Sequence, residues 1–408
     1  MNTNTTEALY ILLWSAVIIG VAVATLFPYS NGSSGAPIIT SGVNLYGCKF
    51  QQPAPMGIAD YGITAYGQTY GYITSSFVGT ANITSLHTNY YGDSNMSIQL
   101  NANLAFNATN GTLDYWGQNV AYINTATDTL NIIDNVWNSS EYNGSINKSA
   151  ISGSGYVGTD RKNSTYYFFE YNFSQNPNGI PLAYPTTVRL AINSSINDAG
   201  EPQMAFSYDL GKGWVEYDKV TFKTASLIRY AGLEVNGAEY TPGSTFYDAE
   251  MILGGGGGGL NTTLVNSSLS LGLSYWNGRN YQSVYNAYDY GCDTEEGINN
   301  VSDNLVSGGT GVPVATITSG SGTLGSLWFY NLSNVGILSV NAGNGAGFLT
   351  LNKTYDGSNA ILYSNGGALL TLLPGHYTIY SYQTNGMLYD SGTASIVGGS
   401  TKTINLTG

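Results

Sequence analysis

The chain has 408 residues, with 12 Lys or Arg against 25 Asp or Glu and a net charge of −13. That balance, with no basic patch, excludes a nucleic-acid binder, because phosphate contacts need clustered Lys and Arg. Only two histidines, His87 and His376, and two cysteines, Cys48 and Cys292, are present. They make a metal centre or a Ser-His or Cys-His catalytic pair an unpromising reading, and no cofactor is expected.

The first element is Ala8–Phe27, an uncharged apolar run of about the length needed to span hydrocarbon as a helix. It predicts a hydrophobic helix within residues 1–28, either a membrane anchor or a signal removed after Ala22-Val23-Ala24. Both fates place the remaining chain outside the cytoplasm, secreted or held at the cell surface. Residues 29–43, containing the string NGSSGAP, read as a linker. Many Asn-x-Ser/Thr sequons follow, among them Asn82, Asn95, Asn107, Asn138, Asn163, Asn261 and Asn331, which suits a glycosylated exported chain. Outside the cell, Cys48 and Cys292 read as one disulfide.

Charged residues make up only 9% of the chain, far below the ~25% of ordinary domains. Stability drawn from carboxylate salt bridges disappears when the carboxylates protonate. A chain with few ion pairs therefore loses little in acid, and an acidic working medium is inferred.

From residue 44 onward strand signals dominate. Ser97–Leu104 alternates apolar and polar residues, as do Thr186–Ile192 and Leu264–Leu273. The expected class is all-β: a large antiparallel, jelly-roll-like sandwich over 44–306, then a small immunoglobulin-like β module over 312–408. The glycine-rich stretch 307–311 marks the boundary between them. One soluble helix is expected at Thr294–Leu305. The glycine run Gly254–Gly259 lacks a lysine and a following helix, so it reads as a flexible loop, not a phosphate cradle.

No Gly-x-Ser-x-Gly elbow or HExxH string occurs, which leaves carboxylates and amides for catalysis. Two routes are open in acid. Paired carboxylates can divide into an acid and a base. Alternatively one Glu activates water while a neutral amide steadies the oxyanion. Asp248 and Glu250 face one side of a predicted strand, Phe246–Leu253, and Trp116 and Gln118 share a face of another. Asp293 and Glu296 stand near the expected helix start, where capping competes with catalysis. Asp60 lies in a turn-like segment. A pepsin-like string, LYDSGT at Leu388–Thr393, has no second copy and reads as a hairpin turn.

The blocks PAPMGIADYG, SIQLNANL with YWGQNVAYINT, LNIIDNVWN, FSYDLGKGWVEYDKVTF, FYDAEMILGGGGGG and LSYWNGRNYQSVYNAYDYGCDTEE occur in this order between Gln52 and Leu305. They resemble the thermopsin family of acid peptidases. The resemblance implies an exported endopeptidase that cleaves polypeptides at low pH and high temperature; a monomer is expected, with any membrane contact through Ala8–Phe27. The family usually shows a proline in the glycine loop, and this chain has none. YWGQNV and YDAEMI also resemble the Gln and Glu strands of fungal glutamic peptidases. The preferred site is therefore Glu250 with Gln118, and the alternative is a carboxylate pair drawn from Asp293, Glu296, Asp248 and Asp60. Two other classes of function compete with the peptidase: a non-catalytic surface glycoprotein, and a sugar-binding sheet lined by Trp116 and Trp137.

Overall fold

The computed structural model describes residues 38–39, 52–63, 71–89, 94–108, 111–140, 145–171, 178–224, 228, 231–241, 245–276, 280–284, 286–307, 312–322, 326–329, 336–343, 345–346, 348–351, 361–362, 367–372, 375–383 and 387–408. The expected hydrophobic helix at Ala8–Phe27 and the linker 29–43, apart from Ile38 and Ile39, lie outside them. No helix among the described residues is long and apolar enough to cross a membrane. The helical content of the described residues is one turn, Lys148–Ala150.

The principal strands are, in chain order, β1 (Met56–Asp60), β2 (Ser76–Ser85), β3 (Asn95–Ala108), β4 (Gly111–Asn124), β5 (Thr129–Asn138), β6 (Thr165–Glu170), β7 (Thr186–Ile196) and β8 (Pro202–Asp209). They continue with β9 (Val215–Phe222), β10 (Ala231–Thr241), β11 (Ala249–Gly255), β12 (Ser268–Trp276), β13 (Asn286–Tyr290), β14 (Val301–Ser307), β15 (Pro313–Ser319) and β16 (Ser326–Phe329). One sheet runs β16-β13-β1-β11-β3-β4-β5-β6, with β10 beside β3; the other runs β14-β15-β12-β2-β7-β8-β9.

Period-2 patterning builds this sandwich. In β5 the residues Leu130, Ile132, Asp134, Val136 and Asn138 point inward and alternate with partly exposed neighbours. Met251 of β11 crosses to the second sheet, where a Cβ on Gly79 would lie 2.3 Å from its sulfur. Gly57 in β1 has φ +152°, and a Cβ there would meet the Met251 carbonyl at 2.3 Å, so only glycine lets β1 approach β11.

One expectation changes. Thr294–Leu305 is not a helix: Ile298–Asn299 is a short strand and Val301–Ser307 pairs along its length with β15. The reason is period: Val301, Asp303 and Leu305 are buried while Asn304 and Val306 are exposed, an alternation no helix can satisfy. Ser307 pairs with Pro313 and β15 pairs with β12, while residues 308–311 of the expected boundary lie outside the described residues. Strand pairing thus extends the large sandwich past 306, to β16, which pairs with β13.

The remaining strands are β17 (Gly336–Ala342), β18 (Phe348–Leu351), β19 (Gly367–Leu372), β20 (Gly375–Tyr382), β21 (Leu388–Ile396) and β22 (Thr401–Leu406). They form two further sheets, the three-stranded β19-β17-β22 and a four-stranded one in which the short strand Ile361–Leu362 flanks β18-β20-β21. Leu338, Val340, Leu349, Ile379, Ile396 and Leu406 make their own apolar cluster.

Two carboxyl pairs bridge the sheets of the large sandwich, each taking one member from each sheet. Asp134 of β5 faces Asp218 of β9, and Asp289 of β13 faces Asp303 of β14. Burial, and then the neighbouring carboxylate, pushes Asp134 and Asp303 well above the ordinary Asp range. Tyr217 of β9 and Tyr167 of β6 are the other titratable groups around the first pair. Tyr167 donates to Asp218 at 2.6 Å, while the Tyr217 hydroxyl lies 3.0 Å from both Asn119 and the Ile133 carbonyl. Backbone N–H groups of Gly57 and Asn304 offset part of the shift at Asp303.

A carboxyl with a raised folded-state value binds its proton more tightly when folded. Its contribution is complete below the unfolded value of about 4 and is lost as pH rises toward the folded value. Stability should therefore fall from pH 4 toward neutrality. Asp134→Asn should flatten that fall, by about 1.4 kcal/mol for each pH unit by which the carboxyl is displaced. Thermal unfolding followed by circular dichroism at pH 3, 5 and 7 checks this, and equal slopes for the two proteins would refute it.

Candidate active site

The outer face of the first sheet carries the polar residues that the sequence singled out. Glu250 of β11 pairs with Asn101 of β3, and Asn101 pairs with Gln118 of β4. Directly paired residues share a face, so Glu250, Asn101 and Gln118 form one row across three strands, which Asn135 of β5 continues. Adjacent strands lie about 4.8 Å apart, so the Glu250 and Gln118 backbones are separated by roughly 10 Å. Asn101 stands between the two in register, and each side chain has its own hydrogen-bond partner, Asn101 for Glu250 and Gln99 for Gln118.

Glu250 is fully buried. Its Oε1 accepts from the Cys292 amide at 2.7 Å and from the Tyr61 hydroxyl at 3.0 Å, whose single hydrogen is shared with the Tyr290 carbonyl at 2.8 Å, and its Oε2 accepts from Asn101 Nδ2 at 3.2 Å. The chain from Tyr290 to Asp293 presses close: a Cβ on Gly291 would lie 3.1 Å from Glu250 Oε2. Tyr61 is in turn held by rings, edge-on to Tyr288 at 5.3 Å and stacked on Tyr290 at 5.9 Å. Burial raises the Glu250 carboxyl above its usual value, and the donors from Cys292, Asn101, Tyr61 and Asp248 oppose the rise.

Asp248 and Asp293, two of the alternative candidates, join Glu250 here. Asp248 is fully buried, and its carboxyl neighbours are Asp293 and Glu250. Burial and those two neighbours push it well above the ordinary range. No described N–H or hydroxyl meets either Asp248 oxygen. Its contacts with the other carboxyls are hydrogen bonds only when one of them holds a proton. Of Asp248 and Glu250, Glu250 has the larger set of donors to its charged form, so Asp248 is the better place for that proton.

The other two alternatives are elsewhere. Asp60 pairs with Ala249, on the opposite face from Glu250, and accepts from Gly62 N at 2.9 Å and the Tyr72 hydroxyl at 2.9 Å. It serves the turn after β1. Glu296 accepts from Gly259 N at 3.0 Å and from the Thr294 hydroxyl, so it clamps the glycine loop. That loop has a defined shape: Gly257, Gly258 and Gly259 have φ of +58°, +63° and +77°, a left-handed run that only glycine adopts readily.

Gln118 donates to Gln99 at 2.8 Å. Beside its row, Trp137 stacks on Tyr166 and meets Trp116 at a tilt of 42°, with centroids 5.0 Å apart in both contacts. The pepsin-like Asp390 sits within β21, not in a turn, and accepts from Ser391 N and Gly408 N. Cys292 is disulfide-bonded; Cys48, its expected partner, lies outside the described residues. Of the sequons, Asn82, Asn163 and Asn261 are exposed and Asn95 is half-buried. Asn138 is buried, with its amide donating to the Ser145 carbonyl and its oxygen accepting from Ser140 N. The side chains of Asn107 and Asn331 lie outside the described residues.

Sequence reasoning passed over Asn101, Tyr61 and Gln99. For Asn101 and Gln99 the signal was present in Ser97–Leu104, whose polar half is Ser, Gln, Asn and Asn without a charge. A solvated strand face would normally mix in Lys or Glu, whereas an amide-only face suits burial with its own partners.

The Thermopsin family model matches residues 41–301. Thermopsin of Sulfolobus acidocaldarius is 32% identical over 325 residues, covering 75% of this chain and 92% of that protein. Among solved structures, scytalido-glutamic peptidase with a transition-state analogue inhibitor aligns with 66% of this chain and 98% of its own, at 8% identity and a TM-score of 0.29. SCP-B, a member of the Eqolisin family of peptidases, aligns with the same coverage at a TM-score of 0.24. On the family match and the identity to thermopsin, the chain belongs to the thermopsin family.

Proposed function

We propose that this protein is an exported acid endopeptidase in which Glu250 activates water and the Gln118 amide steadies the oxyanion. The observation that carries the reading is the convergence at Glu250. One carboxylate is taken wholly out of water, given three neutral donors and set against two further carboxyls, on the same sheet face as Gln118. Purely structural packing gains nothing from gathering three carboxyls, two of them fully buried and the third half-buried.

The chemistry follows from the division of protons. Asp248 keeps its proton, so Glu250 can lose its own without creating adjacent like charges. Ionised Glu250 takes a proton from a water molecule, and the resulting nucleophile attacks the peptide carbonyl. Negative charge then grows on the carbonyl oxygen. Gln118 has two amide hydrogens and gives one to Gln99, which leaves the other for that oxygen. Protonated Glu250 returns its proton to the departing amine.

One observation favours a second reading, an aspartic-type pair: Asp248 and Asp293 face each other directly. Variants separate the two. Glu250→Gln should lower kcat on an unfolded polypeptide at pH 3 by at least about 10³-fold, with circular dichroism unchanged, whereas Asp293→Asn should retain more activity. The reverse order would establish the Asp248–Asp293 pair. Full activity in both variants would exclude both sites, and no cleavage by the folded wild-type chain would leave a non-catalytic surface glycoprotein.

The base must be ionised, so kcat/KM should climb as pH rises through the Glu250 ionisation. Asn101→Leu removes a donor that holds this carboxyl down. The climb should then move to higher pH, and a pH–rate profile that stays in place would exclude Glu250 as the base.

Export through Ala8–Phe27, glycosylation at exposed sequons and a monomeric state are part of the same reading. So are the finer fold assignments: a jelly-roll-like large sandwich and an immunoglobulin-like C-terminal module. The module assignment is supported by its three- and four-stranded sheets around a separate apolar cluster.

A further inference from the structure

An amide side chain stabilises an oxyanion only if its nitrogen, and not its oxygen, occupies the right place. The two ends of Gln118 are nearly the same shape, so packing alone cannot choose between them. A chain of hydrogen bonds on the same sheet face makes the choice.

The chain begins at the Gly255 carbonyl, which can only accept. Ser97 donates to it at 3.0 Å. A hydroxyl has one hydrogen, so the Ser97 oxygen must act as acceptor toward its other neighbour, Gln99 Nε2, at 2.9 Å. Gln99 thereby has its nitrogen committed toward Ser97, and its oxygen faces Gln118 Nε2 at 2.8 Å. Polarity is dictated in one direction from end to end. Were Gln118 to flip, two amide oxygens would face each other in a buried place, leaving both unsatisfied.

The anchor is firm because the glycine loop is held on several sides. Gly255 O also accepts from Gly257 N at 3.1 Å, Glu296 accepts from Gly259 N, and Arg161 donates to Gly258 O at 2.9 Å. Ser97 and Gln99 alternate along β3 and thus lie on the face that carries Glu250 and Gln118.

We propose that Gln99 and Ser97 are positioning residues that orient the Gln118 amide as a donor, with the Gly255 carbonyl as their fixed reference. This rests on the reading of Gln118 as the oxyanion donor. Cutting the chain leaves Gln118 in place but free to turn its oxygen toward the developing charge. The cost then falls on the transition state and not on substrate binding.

The test uses the full chain and an internally quenched, unstructured peptide at pH 3. Gln99→Met and Ser97→Ala should each lower kcat about tenfold while KM stays within about twofold. Ser97→Thr, which keeps the hydroxyl, should restore wild-type kcat. Full kcat in Gln99→Met and Ser97→Ala, beside an inactive Gln118→Ala, would overturn the relay and spare the oxyanion reading. Full activity in Gln118→Ala would overturn that reading and the relay with it. A Ser97→Thr protein with a wild-type melting midpoint but the low kcat of Ser97→Ala would overturn the role assigned to the hydroxyl.

Discussion

A carboxylate removed from water must be met by donors or keep its proton, and much of this structure answers that demand at Glu250. The Cys292 amide, the Tyr61 hydroxyl and the Asn101 amide reach it from three separate parts of the chain. Each depends on something else. Tyr61 is wedged between Tyr288 and Tyr290, Asn101 is delivered by register, and Cys292 is tied by its disulfide. The neighbouring Asp248 and Asp293 fit beside them only as a set that shares protons.

The same rule operates in the interior of the sandwich, with a different outcome. Asp134 with Asp218, and Asp289 with Asp303, face each other across the two sheets with burial as the dominant influence on Asp134 and Asp303. Low charge content alone would make the chain indifferent to acid. Buried carboxyl pairs go further, because they favour the protonated state of the fold and make neutrality the unfavourable condition. Of the three described ion pairs, Lys162–Glu295 and Lys219–Glu216 join side chains that are largely exposed, so they contribute little either way.

The glycine loop illustrates how a feature can be visible in sequence and misread there. Six consecutive glycines suggest flexibility, because an isolated glycine chain has the most freedom to lose. Here three of them hold left-handed backbone angles, and Glu296 and Arg161 fix the loop from both sides. Glu296 was attractive as a catalytic acid for its position near Asp293. Its actual partners are the Gly259 amide and Thr294, which gives it a structural task in the loop whose Gly255 carbonyl begins the chain to Gln118.

The sequence by itself determined the all-β class, the alternation that sends Leu130, Ile132 and Val136 inward, the family, and the strands bearing Glu250 and Gln118. These are local or cumulative properties, set by side-chain period and by many small resemblances. Alternation also held the clue to Val301–Ser307, read instead as a helix because a capping pattern stood before it. Only the tertiary structure decided which candidates meet. Asp60 and Glu250 lie on paired strands but on opposite faces, while Asp293, far along the chain, arrives beside Asp248. Register between distant strands is settled by the collective burial of whole faces, and no spacing along the chain records it. Glu250 and Gln118 are therefore legible as residues, but their common row, with Asn101 between them, belongs to the folded sheet.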